Sequence, residues 1–184
     1  IKSQINPHFL FNNLNLVSSL VMKNSEEAND FIEAFSKVYQ YILRNQDKEL
    51  IELQKEVEFL QPYMYLLKKR FPAGVELKTE IDERWNHAYV VPVALQMLVE
   101  NAIKHGISNL IHGGTVEIKT YRKGEEIHIQ VTNSGQLGNN TDTGIGLVNT
   151  KRRLDLQFKG LVEFSLNQEQ DKVCAKLIFK TMES

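Results

Sequence analysis

The chain has 184 residues, of which 42% are hydrophobic and 24% charged, with a formal net charge of -1. That is enough apolar content for a packed core and too even a charge balance for the basic stripe that neutralises a phosphate backbone, so nucleic acid is excluded as the expected partner. Cys174 is the only cysteine, which excludes a disulfide framework or a cysteine metal site within one chain and suits a reducing cytoplasm.

No apolar run reaches the roughly 18 to 20 residues that span a bilayer, and no signal-peptide pattern is present. The sequence opens at Ile1, without an initiator Met and inside a helical pattern, so upstream sensory or membrane segments are expected. From Ile5 to Met22, Ile5, Phe9, Leu16 and Leu20, joined by Leu10, Leu14, Val17 and Val21, predict a helix with more than one packed face. Ser25, with Glu26 and Glu27 in the first turn, opens a second helix towards Arg44. Phe31, Phe35, Tyr39 and Tyr41 on it are expected as bundle core. A third helix is predicted from Leu50 to Arg70, crossing Pro62 and ending at the breaker Phe71-Pro72-Ala73-Gly74.

Composition changes at that breaker. Val75 to Ile81 alternates as a strand, and Pro92 to His105 reads as a helix. Thr115 to Tyr121 and Ile127 to Thr132 form a strand pair turned at Lys123-Gly124. Gly146 to Leu156 is predicted helical, and Leu161 to Leu166 and Val173 to Phe179 are two closing strands. His87, His112 and His128 lack metal-ligand spacing and read as surface or strand residues. The expectation is an α+β chain: a helical segment over residues 1–72, then a two-layer α/β sandwich over residues 75–182.

Chemistry concentrates in three places. Leu95, Leu98, Val99 and Ala102 recur at core-facing spacing, and Glu100, Asn101, Lys104 and His105 fall together on the opposite side, with Glu100 and Lys104 at i, i+4. A solvated helix face explains a Glu-Lys pair on its own. Some 30 residues on, Asn133-Ser134-Gly135 ends a strand, and Thr143-Gly144-Ile145-Gly146 opens a helix. Glycines there allow a ligand to approach the backbone, and free N–H groups at a helix start suit phosphate. The third place is Gln4-Ile5-Asn6-Pro7-His8-Phe9-Leu10-Phe11-Asn12-Asn13-Leu14-Asn15, where a neutral imidazole is a nucleophile near pH 7. Pro7 either starts the helix or kinks it beside His8.

In this order the Glu-Asn-Ala-Ile-Lys-His run and the two glycine turns resemble the GHKL nucleotide-binding fold of gyrase, histidine kinases and MutL. The Pro-His-Phe-Leu-Phe-Asn run resembles the phosphoacceptor box of LytS-like sensor histidine kinases. Tyr63, Arg70, Phe71, Pro92, Leu95 and Gln96 agree with the same family, while Met97 stands where it usually has proline. The resemblance implies ATP and magnesium as cofactors, with Asn101 the magnesium ligand. It also implies that Glu100 orients the reacting group and that Lys104 and His105 lie beside the phosphates. Gly135, Gly144 and Gly146 would border the pocket and its short lid. Asn133 departs from the aspartate that accepts a hydrogen bond from the adenine amino group; a neutral acceptor is weaker by about 1 kcal/mol, which implies lower ATP affinity.

The implied activity is autophosphorylation of His8, with Asn12 one turn away on the same face to contact the imidazole or the phosphoryl group. Phe9 occupies the place where many histidine kinases carry an acidic base, which leaves Glu100 as the candidate. The implied partners are a response-regulator receiver domain and a second copy of the chain, paired through the N-terminal helices. Membrane attachment would run only through upstream segments, making this the cytoplasmic domain of a bacterial inner-membrane protein. Two other readings are an inactive nucleotide-binding interaction module and a gyrase-type ATPase.

Overall fold

The computed structural model describes residues 7–45, 47–71, 74–82, 84, 87–107, 110, 112–135 and 162–180, and only the backbone at Pro7, His8, Phe9, His105, Val162, Glu169 and Lys180. Helices come first: α1 (Pro7–Lys23), α2 (Ser25–Asn45) and α3 (Leu53–Arg70). The strands β1 (Ile51–Glu52), β2 (Val75–Glu80) and β3 (Tyr89–Val90) precede α4 (Ala94–Ala102) and a π-helical turn, Ile103–Ile107. β4 (Gly114–Lys123), β5 (Glu126–Ser134), β6 (Val162–Glu169) and β7 (Lys172–Lys180) complete an α+β architecture. The helix expected from Gly146 to Leu156 lies outside the described residues.

Local chemistry sets these boundaries. α2 opens at Ser25, as expected, and Asn24 caps it: its Oδ1 accepts from the Glu26 and Glu27 amides at 3.1 and 3.2 Å. α3 starts three residues later than the periodicity suggests, because Ile51 and Glu52 pair with Val90 and Tyr89 as a short antiparallel ladder. Neither β1 nor β3 is long enough to alternate visibly. At the other end of α3, the Phe71 amide bonds Leu67 O, and Gly74 takes a φ of 89°, a conformation that favours glycine.

The main sheet has the order β2-β4-β5-β7-β6. β2 runs parallel to β4, and every other neighbour is antiparallel. One face carries Val116, Ile118, Ile127, Ile129, Val131, Ala175, Leu177 and Phe179, all buried. Leu95, Leu98, Val99 and Ala102 of α4 pack on it, as their spacing predicts. The same cluster continues through Leu60, Tyr63, Met64 and Leu67 of α3 to Phe31 and Val38 of α2. Each fully buried large aliphatic side chain contributes roughly 1.5 to 3 kcal/mol to holding these layers together. An ion pair of Lys69 with Glu27 ties α3 to α2 at the rim.

α1 fulfils only half of its expected packing within one chain. Leu16, Val17 and Leu20 pack against the core, while Phe11, Leu14, Val21 and Met22 are exposed.

His128 on β5 is a strand residue, as expected, and it is buried. Its ring stacks on Tyr121 with centroids 5.0 Å apart, and Nε2 lies 3.1 Å from Glu126 Oε2. Burial holds the imidazole below its ordinary pKa, Lys176 and Lys123 push the same way, and Glu126 opposes them. In the unfolded chain the ring takes a proton more readily, so this group's stabilisation is present above its ordinary value and is lost as pH falls from there towards the folded-state value. His128→Gln is expected to flatten the dependence of the urea midpoint on pH between about 5 and 7. An unchanged slope would mean that other groups govern it.

Candidate functional site

The end of α4 meets the end of β5 at a point where no side chain fits. A Cβ added to Gly106 would overlap the Asn133 carboxamide and come within 3.2 Å of Ser134 O. One added to Gly135, at a φ of 116°, would lie 2.5 Å from Gly106 O. The π-helical turn replaces the continuous helix expected as far as His105, and this turn delivers Gly106 to the strand end. The widened turn accommodates a backbone approach that the sequence period did not reveal. Asn133 is buried, and its Nδ2 donates to Ser134 O at 2.9 Å. Ser134 Oγ in turn accepts from the Thr115 amide at 2.9 Å, and the Gly135 amide bonds Asp171 O.

Around this junction stand the side chains that the sequence singled out. Glu100 and Asn101 occupy the last turn of α4, both half-buried, and Lys104 is exposed on the π turn. The backbone of residue 105 lies in the same turn. Asn133 and Gly135 lie across the junction, so one end of the α4–β5 layer gathers five of the residues expected to hold nucleotide. Gly144 and Gly146 lie outside the described residues. His8 is in the first turn of α1, and Asn12 follows half-buried one turn on.

Two residues behind this cluster matter more than the sequence suggested. Tyr63 of α3 is buried and hydrogen-bonded to Gln96. Burial and the nearby Glu100 charge raise its pKa, while Arg70 opposes the rise. Glu56 is wholly buried, and its carboxylate accepts from the Tyr41 hydroxyl and from the Val93 and Leu95 amides at 2.7 and 2.9 Å. The Ala94 amide also contributes. Burial pushes the Glu56 carboxyl above its ordinary pKa, against the pull of these donors. Val93, in the left-handed region at φ 62°, offers no side-chain cap for α4, and Glu56 supplies one from another helix. Glu56 escapes the sequence reading; the signal that could have found it is a carboxylate on the apolar stripe of α3, three residues after Leu53 and four before Leu60.

At the end of α4, Asn101 offers an amide oxygen and Glu100 a carboxylate, donors of the hard kind that magnesium accepts beside waters and substrate phosphates. The exposed Lys104 adds positive charge.

A mixed sheet covered on one face by α4, preceded by helices, is the architecture of histidine kinase catalytic domains. The catalytic domain of histidine kinase ThkA matches with a TM-score of 0.53 at 16% identity, over 72% of this chain and 94% of that one. Histidine kinase AdeS of Acinetobacter baumannii matches with a TM-score of 0.54 at 12% identity, over 96% and 98%. Residues 1–75 match the family model described as histidine kinase. Sensor protein LytS of Staphylococcus saprophyticus is 30% identical over 84% of the chain, and sensor histidine kinase BtsS of Escherichia coli K12 is 30% identical over 83%. The chain belongs to the LytS-like sensor histidine kinases. It spans 29% and 28% of the length of those two relatives.

Gly106→Ala tests the junction. The added methyl group is expected to lower stability by about 1 to 3 kcal/mol, as overpacking does, seen as a lower urea midpoint with an unchanged m value. A variant as stable as the parent would mean that the backbone approach is looser than described.

Proposed function

We propose that this chain is the kinase core of a sensor histidine kinase, which takes the γ-phosphoryl group of ATP onto His8 and passes it to an aspartate of a response-regulator receiver domain. The observation that carries this reading is the gathering of Glu100, Asn101 and Lys104 at one end of α4, beside the close approach of Gly106 to Asn133 and Gly135. Family membership and the position of His8 in the first turn of α1 support it.

In this reading an imidazole nitrogen of His8 forms a bond to the γ-phosphorus, the bond from that phosphorus to the bridging oxygen breaks, and ADP leaves with the electron pair. The imidazole proton passes to a base, for which Glu100 is the candidate, and Asn12 steadies the acceptor ring or the phosphoryl group. Phosphoryl transfer depends mainly on positioning and on neutralising spread charge, which is the work of Lys104, His105 and backbone amides at Gly144 and Gly146. Magnesium, held through the Asn101 carboxamide oxygen, supplies further charge neutralisation when bound. Asn133 has committed its amide group to Ser134 O, so its oxygen is the acceptor it has to offer the adenine amino group.

The reading also takes residues 1–72 as the dimerisation and phosphoacceptor segment and 75–182 as the catalytic domain. Two copies pair through Phe11, Leu14, Val21 and Met22, the exposed apolar side chains of α1, into a helical bundle. No described helix is long and apolar enough to cross a membrane. The proposal places this piece on the cytoplasmic side of a bacterial inner membrane, attached through other segments of the full protein.

Incubation with γ-labelled ATP and magnesium is expected to give acid-labile, base-stable label that His8→Ala abolishes. Label that survives His8→Ala, or none on the parent chain, would overturn the assignment. Asn101→Ala is expected to weaken ATP-magnesium binding about tenfold or more, the scale of losing a metal contact in the site, read by titration with and without chelator. Leu14→Glu is expected to shift sedimentation from dimer to monomer.

A further inference from the structure

Glu56 has no part in the chemistry above, yet it is the most thoroughly enclosed carboxylate among the described residues. It joins three helices. The carboxylate sits on α3, the hydroxyl of Tyr41 reaches it from α2, and its oxygens take the Val93 and Leu95 amides at the start of α4. The first amides of a helix have no partners within it and carry its positive end, so a carboxylate there both caps and anchors it. Eight residues after Val93, and less than three turns along the same rigid element, stands Asn101.

The contact from α2 is mechanically exposed. A cleft of about 490 Å³ lies between α2 and α3, lined by Lys37, Arg44 and Asn45 on one side and Lys55, Glu58 and Pro62 on the other. Tyr41 and Phe59 bridge it, with their rings stacked at 4.2 Å. A shift of this half of α2 against α3 therefore falls on the Tyr41 side chain, and through its hydroxyl on Glu56.

We infer that Glu56 is a positioning residue for the helix bearing Glu100 and Asn101, and that its bond to Tyr41 relays the placement of α2 to that helix. The inference rests on the kinase reading for its functional half. Its structural half, a mechanical tie from Tyr41 to the start of α4, stands on the hydrogen bonds alone.

The test compares the parent chain with Tyr41→Phe, Glu56→Gln and the double variant, all close in shape to the parent. Three quantities are read: amide hydrogen exchange at residues 93–102, the Kd for ATP-magnesium, and the rate of phospho-His8 formation at saturating ATP-magnesium. Loss of the bond that holds the Glu56 carboxyl in place is expected to speed exchange at Val93 and Leu95 about tenfold in Tyr41→Phe. The Kd stays within about threefold while the transfer rate falls about tenfold, a split that general loss of stability does not give. The double variant is expected to cost less than the product of the singles, since both changes weaken the same Tyr41–Glu56 bond. Exchange unchanged from the parent overturns the inference. So does faster exchange with an unchanged transfer rate, or a Kd that weakens in step with the rate. A parent chain that takes no label sinks the kinase reading instead, and exchange in Tyr41→Phe then decides the inference by itself.

Discussion

A carboxylate taken out of water must be met by donors on every side, and Glu56 is met by a phenol from one helix and by the opening amides of another. That requirement helps to fix the relative placement of α2, α3 and α4, since each of these hydrogen bonds holds only over a narrow range of distance and angle. Truncating one partner leaves the remaining polar atoms buried without compensation, which is the costly direction of failure. The site at the far end of α4 thus inherits its position from contacts made at the near end.

The other fixed point is the junction of the π turn with β5. Gly106 and Gly135 meet backbone to backbone, the Asn133 carboxamide lies against Gly106, and Ser134 carries the connection on to Thr115 on β4. α4 is therefore pinned at both ends, by a buried acid at its start and by a glycine contact just past its finish. Between them its apolar face lies on the sheet, and its polar residues Glu100 and Asn101 remain half-buried at the edge.

Much of this was legible in the residues. The 3.6-residue period of α2 to α4, and the alternation in β2, β4, β5 and β7, reflect one-sided burial, and one-sided burial is what the structure has. The grouping of Glu100, Asn101 and Lys104 followed from helical spacing, and the pairing of their helix with Asn133 and Gly135 from the resemblance to a nucleotide-binding fold. Other features depended on distant parts of the chain and left no local trace. β1 and β3 are two-residue strands that exist because Ile51 and Val90 meet. The π turn seats Gly106 against Asn133, nearly 30 positions away, where an added Cβ would overlap the carboxamide. Glu56 could be noticed as an acid on an apolar stripe, but its partners at Tyr41 and Val93 come only from the tertiary arrangement. Exposed Phe11 and Leu14 satisfy the expected second apolar face of α1 in pattern, while a single chain leaves it uncovered.

The parallel pairing of β2 with β4 has a kinetic consequence. Two parallel neighbours cannot be joined by a tight hairpin, so the chain must travel through β3, α4 and the π turn before Val75 meets Gly114. The hairpins β4–β5 and β6–β7 each close over a turn of two residues and nucleate locally. β2 is then an outer strand that can register only after the crossover helix has settled on the sheet. During synthesis and refolding, this border is the last to gain its ladder and the first to fray.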